Sequence, residues 1–485
     1  MPRRNLFENL LALLGGQVVA KATTFVGLYF LARYLGNESF GRFAVALAIP
    51  ASLEAVADLG MSWAIVREGA GRPDVLRRDV ADALPLKALL ALALVSVSYA
   101  TALLLGLPDE AVLTTTFLAI ARAFDSMTRI ARAVFEAYER MEFEAISSIL
   151  DSTVRLAFTL YALVSGFGLV GLAESLAVGG LVVLVASAVL VRHRFLHELP
   201  RPQPGRWGHL LLLSAPFALL AFFELIGFRI ETILTSVISG DAPAGVFALA
   251  VRVVEPTVIL PGLLGAAFFP VASRHAAQAS MATLAALLVG SGKLSLTTAI
   301  GIALVLGGLA PVLIPAMFGE SFRAASGLVQ ILCLAMPAVF MRLMISRSLM
   351  ALRSTKLLVT LQLVGLAVLT VGGLVLIPRW SAVGAAIALA LGETTVTVLG
   401  LAFLWRLRYT KLSEVLRPLV PAVPATITLL AVVGAQPILA AALSGAIFVA
   451  GLRIWRVFSV GEIDYLRQAA PWLSRVGDLL VPRGL

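Results

Sequence analysis

The sequence predicts an all-α membrane protein that crosses the bilayer about fourteen times. Hydrophobic residues make up 60% of the 485 residues, and the mean hydropathy is +0.96, well above the range of soluble domains. Apolar stretches of roughly 20 residues, enough for a helix to cross a bilayer, recur along the chain. Basic residues are concentrated in alternate loops between these stretches. The few charged residues inside the spans are therefore the candidates for function.

The predicted spans are separated by short loops, several of which are too short for anything but an antiparallel helix pair. Each span is long enough to cross the hydrocarbon core as a helix. They are expected at residues 9–34, 41–66, 83–106, 110–136, 143–165, 168–191, 209–236, 244–272, 286–310, 326–350, 356–377, 382–404, 414–434 and 436–456.

The distribution of charge predicts the orientation of the spans. The net charge is +10, and most of the basic residues follow even-numbered spans, as Arg192 and Arg194 follow span 6. Loops after odd-numbered spans are nearly free of basic residues, as in 107–110. The positive-inside rule then places both termini in the cytoplasm, and this pattern excludes nucleic acid as a partner. The basic residues that break the alternation are Arg42, Arg323 and Arg379.

A short motif repeats at equivalent places in two blocks of six spans. Gly41-x-Phe43-Ala44 begins span 2, and Gly245-x-Phe247-Ala248 begins span 8, 204 residues later. A block of six helices preserves orientation, so the sequence predicts two parallel six-helix lobes, an arrangement found in secondary transporters. The predicted division is an N-terminal lobe at 1–198, a C-terminal lobe at 199–410, helices 13 and 14 at 411–457, and a cytoplasmic tail at 458–485.

Three segments resemble the polysaccharide-transport family, whose members are Wzx-like oligosaccharide-lipid flippases of the multidrug/oligosaccharidyl-lipid/polysaccharide (MOP) superfamily. The first segment, 33–48, contains Gly36-Asn37-Glu38-Ser39-Phe40-Gly41-Arg42-Phe43-Ala44. The others are Met317-Phe318-Gly319-Glu320-Ser321-Phe322 and Ala351-Leu352-Arg353-Ser354-Thr355-Lys356. The resemblance implies a MATE-like fold in the cytoplasmic (inner) membrane. It also implies translocation of lipid-pyrophosphate-linked sugars by alternating access.

Span 4 carries the densest set of intramembrane charges. Arg122, Asp125, Arg129, Arg132 and Glu136 are spaced three, four, three and four residues apart, which places them on one helical face. Arginine can bind a phosphate through two parallel hydrogen bonds, so we interpret this face as a cationic wall that receives the pyrophosphate. The alternative is that Arg129 and Arg132 extend to the inner interface as topology anchors.

Other spans add three cations to the predicted substrate site. They are Lys21 in span 1, Arg252 in span 8 and Arg342 in span 10. We expect Lys21, Arg122 and Arg252 to lie near the membrane centre without partners, because such a group usually faces a cavity or a ligand. The alternative for Arg252 is a structural ion pair with Glu255.

Intramembrane acids are candidates for coupling to a proton or sodium gradient, because a buried acid without a base can exchange a cation. The candidates for ion coupling are Glu54, Asp58, Asp125, Glu224, Glu255 and Glu393. Glu231 shares a helical face with Glu224. Asp151 and Arg155, four residues apart, are interpreted instead as a pair that packs the lobe.

The sequence does not predict an enzyme, a metal site or a resident cofactor. Gly290-Ser291-Gly292-Lys293 resembles part of a phosphate-binding loop, but Leu287 stands where that motif requires its first glycine. His193 and His197 are spaced for a metal, but they belong to a polar linker, and a solvated linker is the better interpretation.

We therefore predict a flippase for a polyprenyl-pyrophosphate oligosaccharide, coupled to an ion gradient and serving cell-surface polysaccharide or glycan assembly. Its expected partners are membrane lipids, a polysaccharide polymerase and glycosyltransferases, and the protein is expected to be a monomer. The alternatives are a MATE-type drug or cation antiporter, in which acids should dominate the central cavity, and a lipid II flippase. A membrane scaffold without transport gives no reason for so many intramembrane charges.

Overall fold

The computed structural model describes residues 6–277, 281–352, 354–407 and 411–459, and every regular element within these ranges is helical. Short 3-10 turns at Pro204–Arg206, Glu255–Val258 and Glu320–Phe322 accompany the α-helices. The α-helices are α1 (Leu6–Asp58), α2 (Met61–Gly69), α3 (Pro73–Leu104), α4 (Asp109–Ala137), α5 (Met141–Val164), α6 (Gly168–Arg194), α7 (Trp207–Ser239), α8 (Asp241–Val254), α9 (Ile259–Ala277), α10 (Met281–Phe318), α11 (Ala325–Ala351), α12 (Thr355–Arg406), α13 (Leu412–Val415), α14 (Leu419–Val432) and α15 (Pro437–Ile454).

The helices reproduce the predicted all-α, multi-pass architecture. Ten of the described helical segments are long and apolar enough to cross a membrane. Two of them, in α1 and α12, each hold two predicted spans joined end to end. The remaining two spans lie in α4, whose apolar stretch is interrupted by charges, and in α7, where most side chains of the central part lie outside the described residues.

Breaks in the long helices fall at or near glycine and proline residues. Gly36 interrupts α1 with φ 69° and ψ 178°, a backbone conformation that only glycine adopts readily. Ser381 divides α12 at a positive φ of 51°, three residues after Pro378. Leu59 and Gly60, both at positive φ, separate α1 from α2. A 3-10 turn that contains Pro256 separates α8 from α9.

The glycines five residues before each copy of the repeated motif share one backbone conformation, and the motif glycines Gly41 and Gly245 lie in close contact. Gly240, 204 residues after Gly36, has φ 94° and ψ 176°. A Cβ atom on Gly41 would lie 1.8 Å from the carbonyl oxygen of Asp241, and one on Gly245 would lie 2.1 Å from that of Asn37. Asn37 and Asp241 are themselves 204 residues apart. Each copy of the motif therefore makes the same contact with the other copy, as in a two-fold interface. Glycine is required at both positions because the backbones touch there.

The chain divides into two compact units, 1–245 and 246–485. In the first unit the linker before α7 is fastened to α3. Arg206 donates hydrogen bonds to Asp82 (2.9 Å) and Asp79 (3.0 Å), and the backbone N–H of Gln203 donates to Asp82 (2.7 Å). Phe195 packs against aromatic rings of α4 and α5 beside this linker. The predicted lobe division at 198–199 remains a prediction, and the tail from residue 460 onward lies outside the described residues.

Candidate functional site

Charged side chains of α1, α3, α4 and α5 meet in one connected set within the first unit, which we call the ionic cluster. Each acid lies between two bases, so positive and negative groups alternate along the set. Its members, in order of contact, are Lys87, Asp58, Arg129, Glu54, Arg122, Asp125, Arg155, Asp151 and Arg132. Five bases and four acids leave a net charge of +1.

The α4 face predicted from the sequence supplies the centre of the ionic cluster. Arg122, Asp125, Arg129 and Arg132 all belong to it, because positions three and four residues apart share a helical face. Arg122 and Arg129 are seven residues apart, which corresponds to about 10 Å along the helix. These side chains therefore present their guanidinium groups in a row along α4.

Glu54 and Asp58, on the last turn of α1, face this row. Glu54 accepts a short hydrogen bond from Arg129, and its other oxygen lies 3.6 Å from Nη1 of Arg122. Asp58 lies 2.5 Å from Nζ of Lys87 and 3.5 Å from Nε of Arg129. The two acids of α1 thus hold three bases from two other helices.

Asp125 and Asp151 extend the ionic cluster toward α5. Asp125 lies 3.3 Å from Nη1 of Arg122 and accepts a short hydrogen bond from Arg155. Asp151 lies 2.7 Å from Nε of Arg155 and 3.2 Å from Nη2 of Arg132. The pair between Asp151 and Arg155 predicted from their spacing is present, but it is part of the cluster rather than a separate packing contact.

Lys87 is the member of the ionic cluster that sequence reasoning missed. It is fully buried, and its Nζ donates to the Ser126 carbonyl (2.6 Å) and to Ser62 Oγ (3.3 Å) besides pairing with Asp58. A lone lysine within the apolar stretch of α3, two residues after Pro85, was the available signal. A charge in such a stretch is costly unless it is paired.

The α1 segment that carries Glu54 and Asp58 is bounded by two interruptions. Pro50 cannot donate the helical hydrogen bond to the residue four positions before it. The helix then ends at Asp58, before the positive-φ residues Leu59 and Gly60. Cations are favoured near the carbonyl end of a helix, so this position stabilises the bases that gather around Asp58.

The ionic cluster is partly accessible rather than sealed. The side chains of Arg122 and Arg129 retain 28% and 31% exposure, whereas that of Glu54 retains 13%. Nη2 of Arg129 makes no hydrogen bond to any described residue. Guanidinium groups in such a row can bind a carboxylate or a phosphate through paired hydrogen bonds, although the unused Nη2 donor of Arg129 is itself buried in this structure.

The expectation that Lys21, Arg122 and Arg252 lie without partners near the membrane centre is wrong for Arg122. It is held by Glu54 and Asp125, because α1 and α4 pack with their charged faces together. Lys21 is exposed on α1 and forms no ion pair with the described residues. Arg252 and Glu255 lie part-buried on α8 and on the 3-10 turn that follows it.

Two other predicted residues pair with each other in the second unit. Arg342 of α11 donates to Glu393 of α12 at 2.5 Å, and both side chains are nearly buried. Glu224 has its side chain outside the described residues. Glu231, on the same helix, is fully buried, and neither carboxyl oxygen has a hydrogen-bond partner among the residues that the structure describes.

The chain is a multi-pass helical protein with charged residues inside its spans. Its fold is that of MOP-superfamily transporters. The lipid II flippase MurJ in an inward closed conformation matches with a TM-score of 0.71 and 15% identity, over 91% of this chain and 98% of that chain. An inward-facing MATE multidrug resistance transporter matches with a TM-score of 0.64 and 17% identity, over 81% and 98%.

A third solved structure with this fold is a MOP superfamily transporter from Pyrococcus furiosus, whose binding pocket is described as having reverse polarity. It matches with a TM-score of 0.59 and 16% identity, over 84% of this chain and 96% of that chain. At these identities the likeness shows the fold.

The sequence itself identifies the family. The family model "Polysaccharide biosynthesis protein" matches residues 6–276, which is more than half of the chain, so the chain belongs to that family. This confirms the resemblance found in the segment 33–48. No curated protein matches the chain significantly.

Proposed function

We propose that this protein is a flippase that moves a polyprenyl-pyrophosphate-linked oligosaccharide across the cytoplasmic membrane by alternating access. The oligosaccharide would serve cell-surface polysaccharide or glycan assembly, and no catalytic step is required of the chain. Membership of the polysaccharide biosynthesis family supports the substrate class, and the transporter fold supports translocation.

The ionic cluster is the observation that carries the proposal. Its bases exceed its acids by one, and the charged side chains of Arg122 and Arg129 are partly exposed on α4. Such groups are expensive in a bilayer and therefore mark a substrate pathway. A pyrophosphate matches them, since its oxygens accept the paired hydrogen bonds that guanidinium groups donate.

The charge of the loops supports the orientation that we propose. By the positive-inside rule, both termini and the linker 193–209 would lie in the cytoplasm, where glycosyltransferases would supply the lipid-linked sugar. A polymerase would use it on the other side. The substrate's polyprenyl tail would stay in the lipid, and we propose that the transporter works as a monomer.

Coupling to an ion gradient is part of the proposal, and the structure favours one acid for a proton. Glu54, Asp58, Asp125 and Glu393 all lie against bases. Glu231 is buried without such a partner among the described residues, and an isolated buried carboxylate takes up a proton because burying its charge is costly. Glu231 is therefore the acid that we propose to exchange a proton during the cycle.

The same site chemistry suits a lipid II flippase, because that substrate is also a lipid-linked pyrophosphate. MurJ shares the fold over 91% of this chain, which makes this the second candidate. A drug or cation antiporter is disfavoured, since a cluster with surplus bases repels cationic substrates.

The test is translocation in proteoliposomes that contain a fluorescent lipid-linked pyrophosphate oligosaccharide, measured at matched protein content. Arg122→Ala and Arg129→Ala should each lower the rate at least tenfold, and Arg122→Lys should restore little because lysine cannot donate the paired hydrogen bonds. Arg323→Ala is the control, because Arg323 forms an exposed pair with Glu320 outside the ionic cluster. Near-normal rates in both cluster variants would reject the proposed site.

A further inference from the structure

The position of Glu54 shows what holds the two central arginines in this structure. Its carboxylate bridges Arg129 and Arg122, and these are the cluster arginines with the largest accessible fractions. A carboxylate and a phosphate present similar oxygen acceptors to a guanidinium group. Glu54 therefore occupies the place that a substrate phosphate would need.

Glu54 holds its two partners unequally, since it accepts a short hydrogen bond from Arg129 but lies farther from Arg122. Its contact with Arg122 is long, at 3.6 Å, and Nη2 of Arg129 lacks a hydrogen-bond partner among the described residues. By contrast, the longer contacts of Asp58, Asp125 and Asp151 with their bases are 3.5, 3.3 and 3.2 Å. A ligand with several oxygen atoms can satisfy donors that the single carboxylate leaves unused.

The backbone around Glu54 permits it to leave. Pro50 interrupts the helical hydrogen bonds one turn before Glu54, and α1 ends one turn after it. The break at Leu59 and Gly60 follows directly. A short segment between two interruptions can shift without moving the rest of the helix, since hinges are commonly a few residues that absorb backbone change.

We infer that Glu54 is an internal counter-anion. Its carboxylate leaves Arg122 and Arg129 when a phosphate group of the substrate binds them, and it returns when the substrate leaves. This inference rests on the proposed function and assigns a regulatory role within the same site. Without the Glu54 carboxylate, Arg122 would be held only by Asp125 and Arg129 only by Asp58, and the empty protein would carry a second surplus positive charge through its return step, at a high cost in the membrane. With it, the empty protein returns with those charges paired.

Binding is tested with inorganic pyrophosphate and the purified full-length chain in detergent, by isothermal titration calorimetry. Glu54→Gln removes the competing charge while keeping the size of the side chain, so its affinity for pyrophosphate should rise about tenfold, the size of one charge-assisted interaction. Glu54→Ala should show at least the same gain. Glu320→Gln is the matched control: Arg323 donates two hydrogen bonds to Glu320 and lowers the pKa of that carboxyl, but the pair is exposed and outside the ionic cluster.

The gain must depend on the arginines. In an Arg122→Ala/Arg129→Ala background, Glu54→Gln should no longer raise the affinity. Thermal unfolding of each variant establishes that it is folded. If Glu54→Gln binds pyrophosphate no more tightly while the arginine variants lose binding, the counter-anion role is wrong and the proposed phosphate site stands. If neither the parent chain nor Glu54→Gln binds pyrophosphate, the proposed site fails and the inference falls with it.

Transport separates the same outcomes independently. In proteoliposomes with a lipid-linked pyrophosphate, Glu54→Gln should retain exchange of labelled for unlabelled substrate but lose most net translocation, because only net translocation requires the empty return. Equal loss of exchange and net translocation would contradict the role. An unchanged net rate would contradict it as well.

Discussion

The buried pair between Lys87 and Asp58 provides the most direct test of the packing that assembles the ionic cluster. Lys87→Met replaces the lysine by an apolar side chain of similar length. The change removes the 2.5 Å ion pair and the 2.6 Å hydrogen bond to the Ser126 carbonyl. It leaves the Asp58 carboxylate, 13% exposed, with Ser62 at 2.8 Å and Arg129 at 3.5 Å.

The expected loss of unfolding free energy for Lys87→Met is about 3–5 kcal/mol, the usual cost of removing one partner of a buried ion pair. Asp58→Asn should cost a similar amount, because it leaves the fully buried Lys87 ammonium with neutral partners. The double variant leaves no unpaired charge at this position, so its loss should be about 1–3 kcal/mol, mostly from the lost hydrogen bond between Lys87 and the Ser126 carbonyl.

The assay is unfolding in mixed micelles of dodecyl sulphate and a mild detergent, with the two single variants and the double variant measured as a cycle. The interaction energy between Lys87 and Asp58 should be at least about 3 kcal/mol. Substitution of the exposed pair of Glu320 and Arg323 is the control and should leave the unfolding curve unchanged. The buried pair would be refuted if the losses of unfolding free energy in the two single variants added up to that of the double variant, or if the single losses were below about 1 kcal/mol.

Three further predictions address the repeat contact, the topology and the proton. Gly41→Ala should destabilise the protein by about 1–3 kcal/mol, because its Cβ would lie 1.8 Å from a carbonyl oxygen; Gly301→Ala, with open space around it, should not destabilise it in the same unfolding assay. Cysteines placed in 193–209 should react with a membrane-impermeant maleimide only from the cytoplasmic side, and labelling from outside would overturn the orientation. Glu231→Gln should make translocation insensitive to an imposed pH gradient in proteoliposomes, and a retained response would show that another group carries the proton.

The amino-acid sequence by itself determined the architecture. Hydropathy is a local property, and a helix of about 20 apolar residues satisfies all its backbone hydrogen bonds within the bilayer. The spans could therefore be read without knowing their neighbours, and α1 and α12 were correctly divided into two spans each. The repeat of 204 residues was visible in Gly41-x-Phe43-Ala44 and Gly245-x-Phe247-Ala248, because close contact of two backbones requires glycine at the first position of each copy.

The partners of the intramembrane charges were decided only by the tertiary structure. The spacing of charges along α4 showed that Arg122 and Arg129 share a face, since that follows from helical geometry alone. It did not show that Glu54, from α1, bridges both, nor that Lys87 reaches Asp58 from α3. These contacts depend on how the helices rotate and shift against one another, and the packing of many side chains sets that registration. Arg122 was therefore expected without a partner, and the structure places it between two carboxylates.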